Sequence, residues 1–177
     1  MSEGEELLVV DSAERDRNGL RTLFDGDGYV CTVTGTMGEA RELVQRKFFP
    51  VAVIELDFGS INGGLELVRF IREKSRPTKI VLLTARRAFE STIEALRLGV
   101  SDVVPKRPDQ VGYLRTSVRT AVDQYHASNN DSSLLREVRS VLEEVFKIIM
   151  TMARRIYHGS GINESEAMRP MILIIDQ

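Results

Sequence analysis

Five short apolar runs, each followed by a stretch of helical periodicity, constrain this chain more than any other feature. The runs are Leu7 to Val10, Tyr29 to Val33, Val51 to Ile54, Ile80 to Leu83 and the segment Asp102-Val103-Val104-Pro105. Brief continuous runs rich in β-branched residues read as strands buried on both faces. Between them, Leu20, Leu23 and Phe24 share one helical face that closes at Asp25-Gly26-Asp27-Gly28. A second helix over Thr36 to Lys47 carries Ala40, Leu43 and Val44. A loop with Gly59, Gly63 and Gly64 opens a third, carrying Leu65, Val68 and Ile71, with Pro77 beyond its end. The fourth runs from Phe89 to Leu98 and stops at Gly99, and the fifth spans Gln110 to Tyr125. Strands alternating with helices of this length require right-handed crossovers and a parallel sheet covered on both faces. The expectation is an α/β, doubly wound domain over residues 5–125.

In such a sheet the site lies outside the carboxyl ends of the strands. The residues there are Asp11 and Ser12, Glu55 to Asp57, Thr84 and Ala85, and Lys106. Composition narrows the chemistry. The 177 residues, 42% hydrophobic and 28% charged, suffice for one ordinary domain with an extension. A formal net charge of −2 gives no general basic excess for nucleic acid or an anionic membrane. Cys31 is the one cysteine, which excludes an intrachain disulfide and a thiolate zinc cluster and fits a reducing cytoplasm. The acidic start Met1-Ser2-Glu3-Gly4-Glu5-Glu6 lacks a signal peptide's basic flank, and no apolar run is long enough to cross a bilayer. No glycine-rich phosphate loop follows the first strand, and no Cys-His or Ser-His pair stands at the strand ends, so an enzyme is not expected. No helix-turn-helix pattern or basic recognition helix follows the five repeats.

The strand ends resemble the receiver domain of two-component response regulators. Ile80-Val81-Leu82-Leu83-Thr84-Ala85 matches the family's fourth strand, and Lys106 matches the lysine ending the fifth, although Arg107 stands before Pro108. Gly64-Leu65-Glu66-Leu67-Val68 and the run from Ala95 to Asp102 are also similar to the family. Five such motifs in order carry far more weight than one. The resemblance implies a (βα)5 flavodoxin-like fold and a role in phosphorelay signalling. It further implies a phosphoacceptor at the end of the third strand, phosphate contacts from Thr84, Ala85 and Lys106, and Mg²⁺ held by acidic residues.

Three departures bear on that chemistry. The first strand ends in Asp11 and then Ser12, where the family has paired acidic residues, so a Mg²⁺ site built on Asp11 and Asp57 is weakened. Glu55 aligns first with the phosphoacceptor, because Ala52-Val53-Ile54 then fill the buried strand and Leu56 packs behind it. Asp57 ranks second, since that register buries Glu55, and Leu56 third. An acceptor one methylene longer than aspartate misplaces the attacking oxygen. Glu55 would instead reach toward Lys106 and Thr84 and imitate a phosphorylated aspartate. Val103 stands where the family often has a switch aromatic, and Thr84 has the plainer reading of a loop cap. The expectation is a pseudo-receiver acting through protein contacts; the alternative is a conventional regulator phosphorylated on Asp57 by a sensor histidine kinase.

Residues 126–133 read as a polar linker, with Ser132 or Ser133 capping a helix over 134–158. Leu135, Val138, Leu142, Val145, Ile149, Met152 and Ile156 follow gaps of three and four without a break. That is a coiled-coil seam, and the strict spacing favours pairing, with a homodimer as the simplest outcome, over a helix that folds back on its own receiver. Leu134, Val141 and Ile148 widen the apolar face, so more than two helices could meet there. His158-Gly159-Ser160-Gly161 ends the helix. Residues 159–177 read as a linker and a terminal strand, Met171 to Gln177, which echoes Leu7 to Ser12. It is open as the first strand of a further domain, as a strand paired to a sheet edge, or as a tail.

Overall fold

The computed structural model describes residues 4–75, 77–86 and 89–160, with 131–134, 136 and 153–160 described by backbone alone. The elements run β1 (Glu6–Val10), α1 (Glu14–Gly26), β2 (Val30–Thr34), α2 (Met37–Arg46), β3 (Val51–Glu55), α3 (Gly63–Lys74), β4 (Lys79–Thr84), α4 (Phe89–Arg97), β5 (Asp102–Pro105) and α5 (Val111–Ser160). The strands form one parallel sheet in the order β2-β1-β3-β4-β5. The chain thus winds outward from β1 in one direction and from β3 in the other, which opens a crevice above the carboxyl ends of β1 and β3.

Strand side chains alternate between two cores, as the pleat requires. Leu8, Val10, Ala52, Ile54, Ile80 and Leu82 pack with Ala40 of α2, with Leu65, Val68 and Ile71 of α3, and with Ala95 of α4. Leu7, Val9, Val53, Val81, Leu83 and Val104 pack on the other face with Phe24 of α1 and with Leu114, Val118, Ala121 and Val122 of α5. The buried strands are almost wholly apolar because neither face meets water. Thr36 caps α2 by accepting a hydrogen bond from the Glu39 amide at 3.3 Å.

At two positions the entry to α3 requires glycine. A Cβ on Gly64 would lie 2.2 Å from the Glu55 carbonyl oxygen, and one on Gly63 would lie 2.1 Å from that of Phe58. The preceding residue, Asn62, adopts the left-handed conformation at φ 60°, where asparagine is tolerated better than most residues. This close approach folds the loop back against the end of β3 and fixes the backbone that carries Glu55.

The structure corrects the expected linker. Residues 126–133 are helical and belong to α5, which runs unbroken from Val111 to Ser160, so neither Ser132 nor Ser133 starts a helix. The segment has no Gly or Pro, and its Ser, Asn and Asp residues each cost only a few tenths of a kcal/mol in a helix interior. Ending the helix and nucleating another costs more. The Ser128 hydroxyl turns back to donate to the Gln124 carbonyl at 2.7 Å, which keeps it compatible with the helix. Residues through Asn129 form one compact unit and those from Asn130 a second. Strand β2 begins one residue later than expected: Tyr29 precedes it and packs edge-on against Phe24 at 6.0 Å. The expected strand Met171 to Gln177 and the side chain of Ile156 lie outside the described residues.

Candidate functional site

The carboxyl ends of β1, β3 and β5 converge on Lys106. Its ammonium lies 2.6 Å from Asp11 Oδ2, 2.8 Å from Asp16 Oδ2 and 3.0 Å from Glu55 Oε1. Asp11 follows β1 and is fully buried. Glu55 is the last residue of β3, and Asp16 comes from the first turn of α1. The backbone of Lys106 is itself fixed by its amide, which donates to the Thr84 carbonyl at 2.8 Å. A lysine ringed by three carboxylates leaves a net negative cluster, even with the Arg17 guanidinium donating to the Asp11 and Ser12 carbonyls at 2.8 Å each.

Ser12 completes the arrangement. Its amide donates to Glu55 Oε2 at 2.9 Å and its hydroxyl donates to the same oxygen at 2.5 Å. Both oxygens of Glu55 are therefore engaged, one by Ser12 and the other by Lys106. Burial works to raise the Glu55 pKa, but the Ser12 hydrogen bonds and the Lys106 charge outweigh it and hold the carboxyl below its ordinary value. Asp11 goes the other way: burial raises its pKa despite the donors Lys106 and Ala13. Burial opposes the charge on Lys106, yet its carboxylate partners hold its pKa above the usual lysine value.

Asp57 stands apart from this cluster. The Arg86 guanidinium grips it with two hydrogen bonds, Nε to Oδ2 at 2.8 Å and Nη2 to Oδ1 at 3.0 Å. The Asn62 amide also donates to Oδ1 at 3.0 Å. Arg86 and the Ser91 hydroxyl both donate to the Asn62 side-chain oxygen, at 2.9 Å and 2.8 Å. The loop after β3 is thereby tied to the loop after β4. Arg86 is the chief cause that holds the Asp57 carboxyl below its ordinary value. Leu56, between the two carboxylates, is buried, and its amide donates to the Leu83 carbonyl at 2.7 Å.

Thr84 ends β4, but its hydroxyl donates to the Arg86 carbonyl at 2.7 Å, so it caps the following turn in the manner of its plainer sequence reading. Ala85 is exposed beside it. Of the expected site residues, Asp11, Glu55 and Lys106 are brought together, while Asp57 is held elsewhere. Sequence reasoning missed Asp16, Arg17, Asn62 and Arg86. The signal for Asp16 was its place in the first turn of a helix that starts at the site, where an acidic residue passes for a simple dipole partner.

The residues present do not fit Mg²⁺. Such an ion demands near-octahedral oxygen ligands. Here the Asp11 oxygens face the Ala13 amide and Lys106, and Glu55 is taken by Ser12 and Lys106. The pair expected to hold it, Asp11 and Asp57, is divided between two separate ion pairs. Among the described residues no group of three or more His, Cys, Asp or Glu side chains is arranged to hold a metal.

The comparisons with known proteins agree with this architecture. The model of the response regulator receiver domain matches residues 7–118. The alginate biosynthesis transcriptional regulatory protein AlgB of Pseudomonas putida is 25% identical over 180 residues, covering 92% of this chain and 39% of the relative. Protein PetR of Rhodobacter capsulatus is 35% identical over 100 residues, 56% of this chain and 41% of its own length. The chain thus spans about two fifths of the length of these relatives. A CheY-like receiver domain from Methanospirillum hungatei superposes with a TM-score of 0.65 at 18% identity, over 70% of this chain and 98% of that one, which speaks for the fold alone. A parallel sheet in the order β2-β1-β3-β4-β5, with a lysine and acidic residues at its carboxyl edge and a family match over most of its length, places this chain among the response regulator receiver domains of two-component signalling.

Proposed function

We propose that this receiver is degenerate in phosphorylation and signals by contact with other proteins. The observation that carries the reading is the closure of Glu55 by Ser12 and Lys106. A carboxylate can attack a phosphoryl group only with a free, aligned oxygen and with cations to neutralise the equatorial oxygens. At this site the incoming anion meets Asp11, Asp16 and Glu55 with Lys106 as their shared cation. Such catalysis is almost entirely positioning and charge neutralisation, and both count against transfer here. Glu55 on Lys106 then stands in for the phosphorylated state and holds the domain in one signalling conformation.

Receiver domains are generally signalling modules rather than enzymes and interact with histidine kinases and other proteins. For this chain the proposed partners are a sensor histidine kinase and further copies of itself, joined through the extension of α5, with no direct contact to nucleic acid. AlgB is named a transcriptional regulatory protein; a transcriptional output for this receiver would be relayed through protein contacts. The proposed compartment is the cytoplasm, and no described helix is long and apolar enough to cross a membrane.

A second reading rests on Asp57, which lines an open concavity with Ser12, Gly59, Ser60, Ile61 and Arg86. It makes this a conventional regulator phosphorylated on Asp57. Intact mass after incubation with Mg²⁺ and acetyl phosphate separates the two. The expected result is no adduct under conditions that label a control receiver. A labile phosphate mapping to Asp57 or Glu55 would overturn the degenerate reading.

A further inference from the structure

We propose that the extension of α5 assembles with three further copies of itself into a parallel four-helix bundle, so that the unit of signalling is a tetramer. The inference deepens the self-association reading above and depends on it. Over residues 135–152, Leu135, Leu142 and Ile149 occupy position a of a heptad, and Val138, Val145 and Met152 occupy position d. All six are exposed in the single chain. A two-stranded coiled coil prefers the reverse, with β-branched residues at a and leucine at d. Leucine at a with isoleucine at d shifts the preference toward three or four strands, and valine shares isoleucine's branch at Cβ. Leu135, Val138, Leu142 and Val145 follow that second pattern.

The flanking positions point the same way. Val141 and Ile148 occupy g, each 55% exposed, and Phe146 occupies e at 36%. In a two-stranded pair the e and g positions carry the charges that choose the partner and stay at the solvent edge. Here the only charged residue among the described e and g positions of these heptads is Arg139. Its guanidinium already bonds Glu143 of the same helix at 3.2 Å. With the g positions added to a and d, the apolar face covers about three sevenths of the helix, the width used in bundles rather than in a narrow seam. Two helices would cover the a and d side chains and leave Val141, Phe146 and Ile148 in water. Four helices bury them as well.

The choice of occupant follows from the same residues. An unbroken alternation of three and four residues drifts around a straight helix and is matched by a helix of equal repeat and length. A second copy in register supplies that match layer by layer. Among the described e and g positions over residues 135–152, no row of charges discriminates against self.

Sedimentation equilibrium on the full chain tests the count. The expected mass is four times the 19.9 kDa chain. The double variant Val141→Glu/Ile148→Glu, which a two-stranded pair would tolerate, is expected to fall to two chains or fewer. Its receiver unit should keep the wild-type urea midpoint, which separates lost assembly from lost folding. A wild-type mass of two or three chains would overturn the four-helix count and leave self-association standing. A wild-type mass of one chain would overturn both. A double variant that remains tetrameric would show the g positions to be outside the contact and would overturn the four-helix bundle argued from this face.

Discussion

Within α5, Leu114, Val118, Ala121 and Val122 are buried beneath the sheet, whereas Leu135, Val138, Leu142 and Val145 are exposed, Leu135 to 70%. Both sets repeat at three- and four-residue intervals on one helical face. The first set has a partner in its own unit, because Val9, Val53 and Val104 present an apolar sheet surface to it. The second set belongs to the unit from Asn130 onward, where the described residues supply no second element. Apolar periodicity therefore records that a face is made for burial and leaves the partner to the rest of the fold. Where the chain provides a sheet, the face becomes core; where the described residues provide none, the face stays exposed, and further copies of the chain are its proposed partner.

The comparison breaks first if the two sets respond alike to a charge. Val118→Asp puts a carboxylate at a fully buried position in an apolar cluster with Val9, Val53 and Val104. Its cost is expected to be about 4 kcal/mol or more, enough to unfold a domain of ordinary stability. Urea unfolding followed by circular dichroism should show the receiver transition lost or shifted far to low denaturant. A near-normal midpoint would mean that this face of α5 is not core at all.

Leu142→Asp, the same kind of change on the exposed face, should leave the receiver midpoint within about 0.5 kcal/mol of wild type. Its expected effect is on the proposed assembly. A helix without tertiary partners is marginal in water, so losing the contact should lower the ellipticity at 222 nm of the full chain and remove the dependence of the helical signal on protein concentration. A receiver destabilised as strongly as by Val118→Asp would mean that both halves of α5 serve one core. Unchanged ellipticity with unchanged assembly would remove Leu142 from any contact.

The same distinction explains what could be read in the sequence. The five strands were legible because burial on both faces demands continuous runs such as Leu7-Leu8-Val9-Val10 and Ile80-Val81-Leu82-Leu83, and few other structures use them. The meeting of Glu55 with Lys106 was legible too, since both end parallel strands and such ends converge at one edge. The grip of Arg86 on Asp57 was not legible, because it joins two loops whose paths depend on the packing of α3 and α4. Nor was the continuity of α5 through 126–133. Polar, low-propensity residues look like a linker in a local window, and the cost of making two new helix ends does not appear in that window.

The smallest effect tests that last point at Asn130. Asn130 lies in the interior of α5 and is exposed. If the helix is continuous there, replacing asparagine by the best helix former should stabilise it by about 0.5 kcal/mol through backbone and side-chain propensity alone. Asn130→Ala should then raise the helical signal slightly and slow amide exchange around residues 126–134, with no change in the receiver midpoint. A real linker at this position would give no gain in protection, because no helix would exist there for alanine to favour. The readout must be exchange rather than global stability. A change of this size at an exposed helix position is visible only in the local opening of the helix, and local opening is where a continuous helix and a linker differ most.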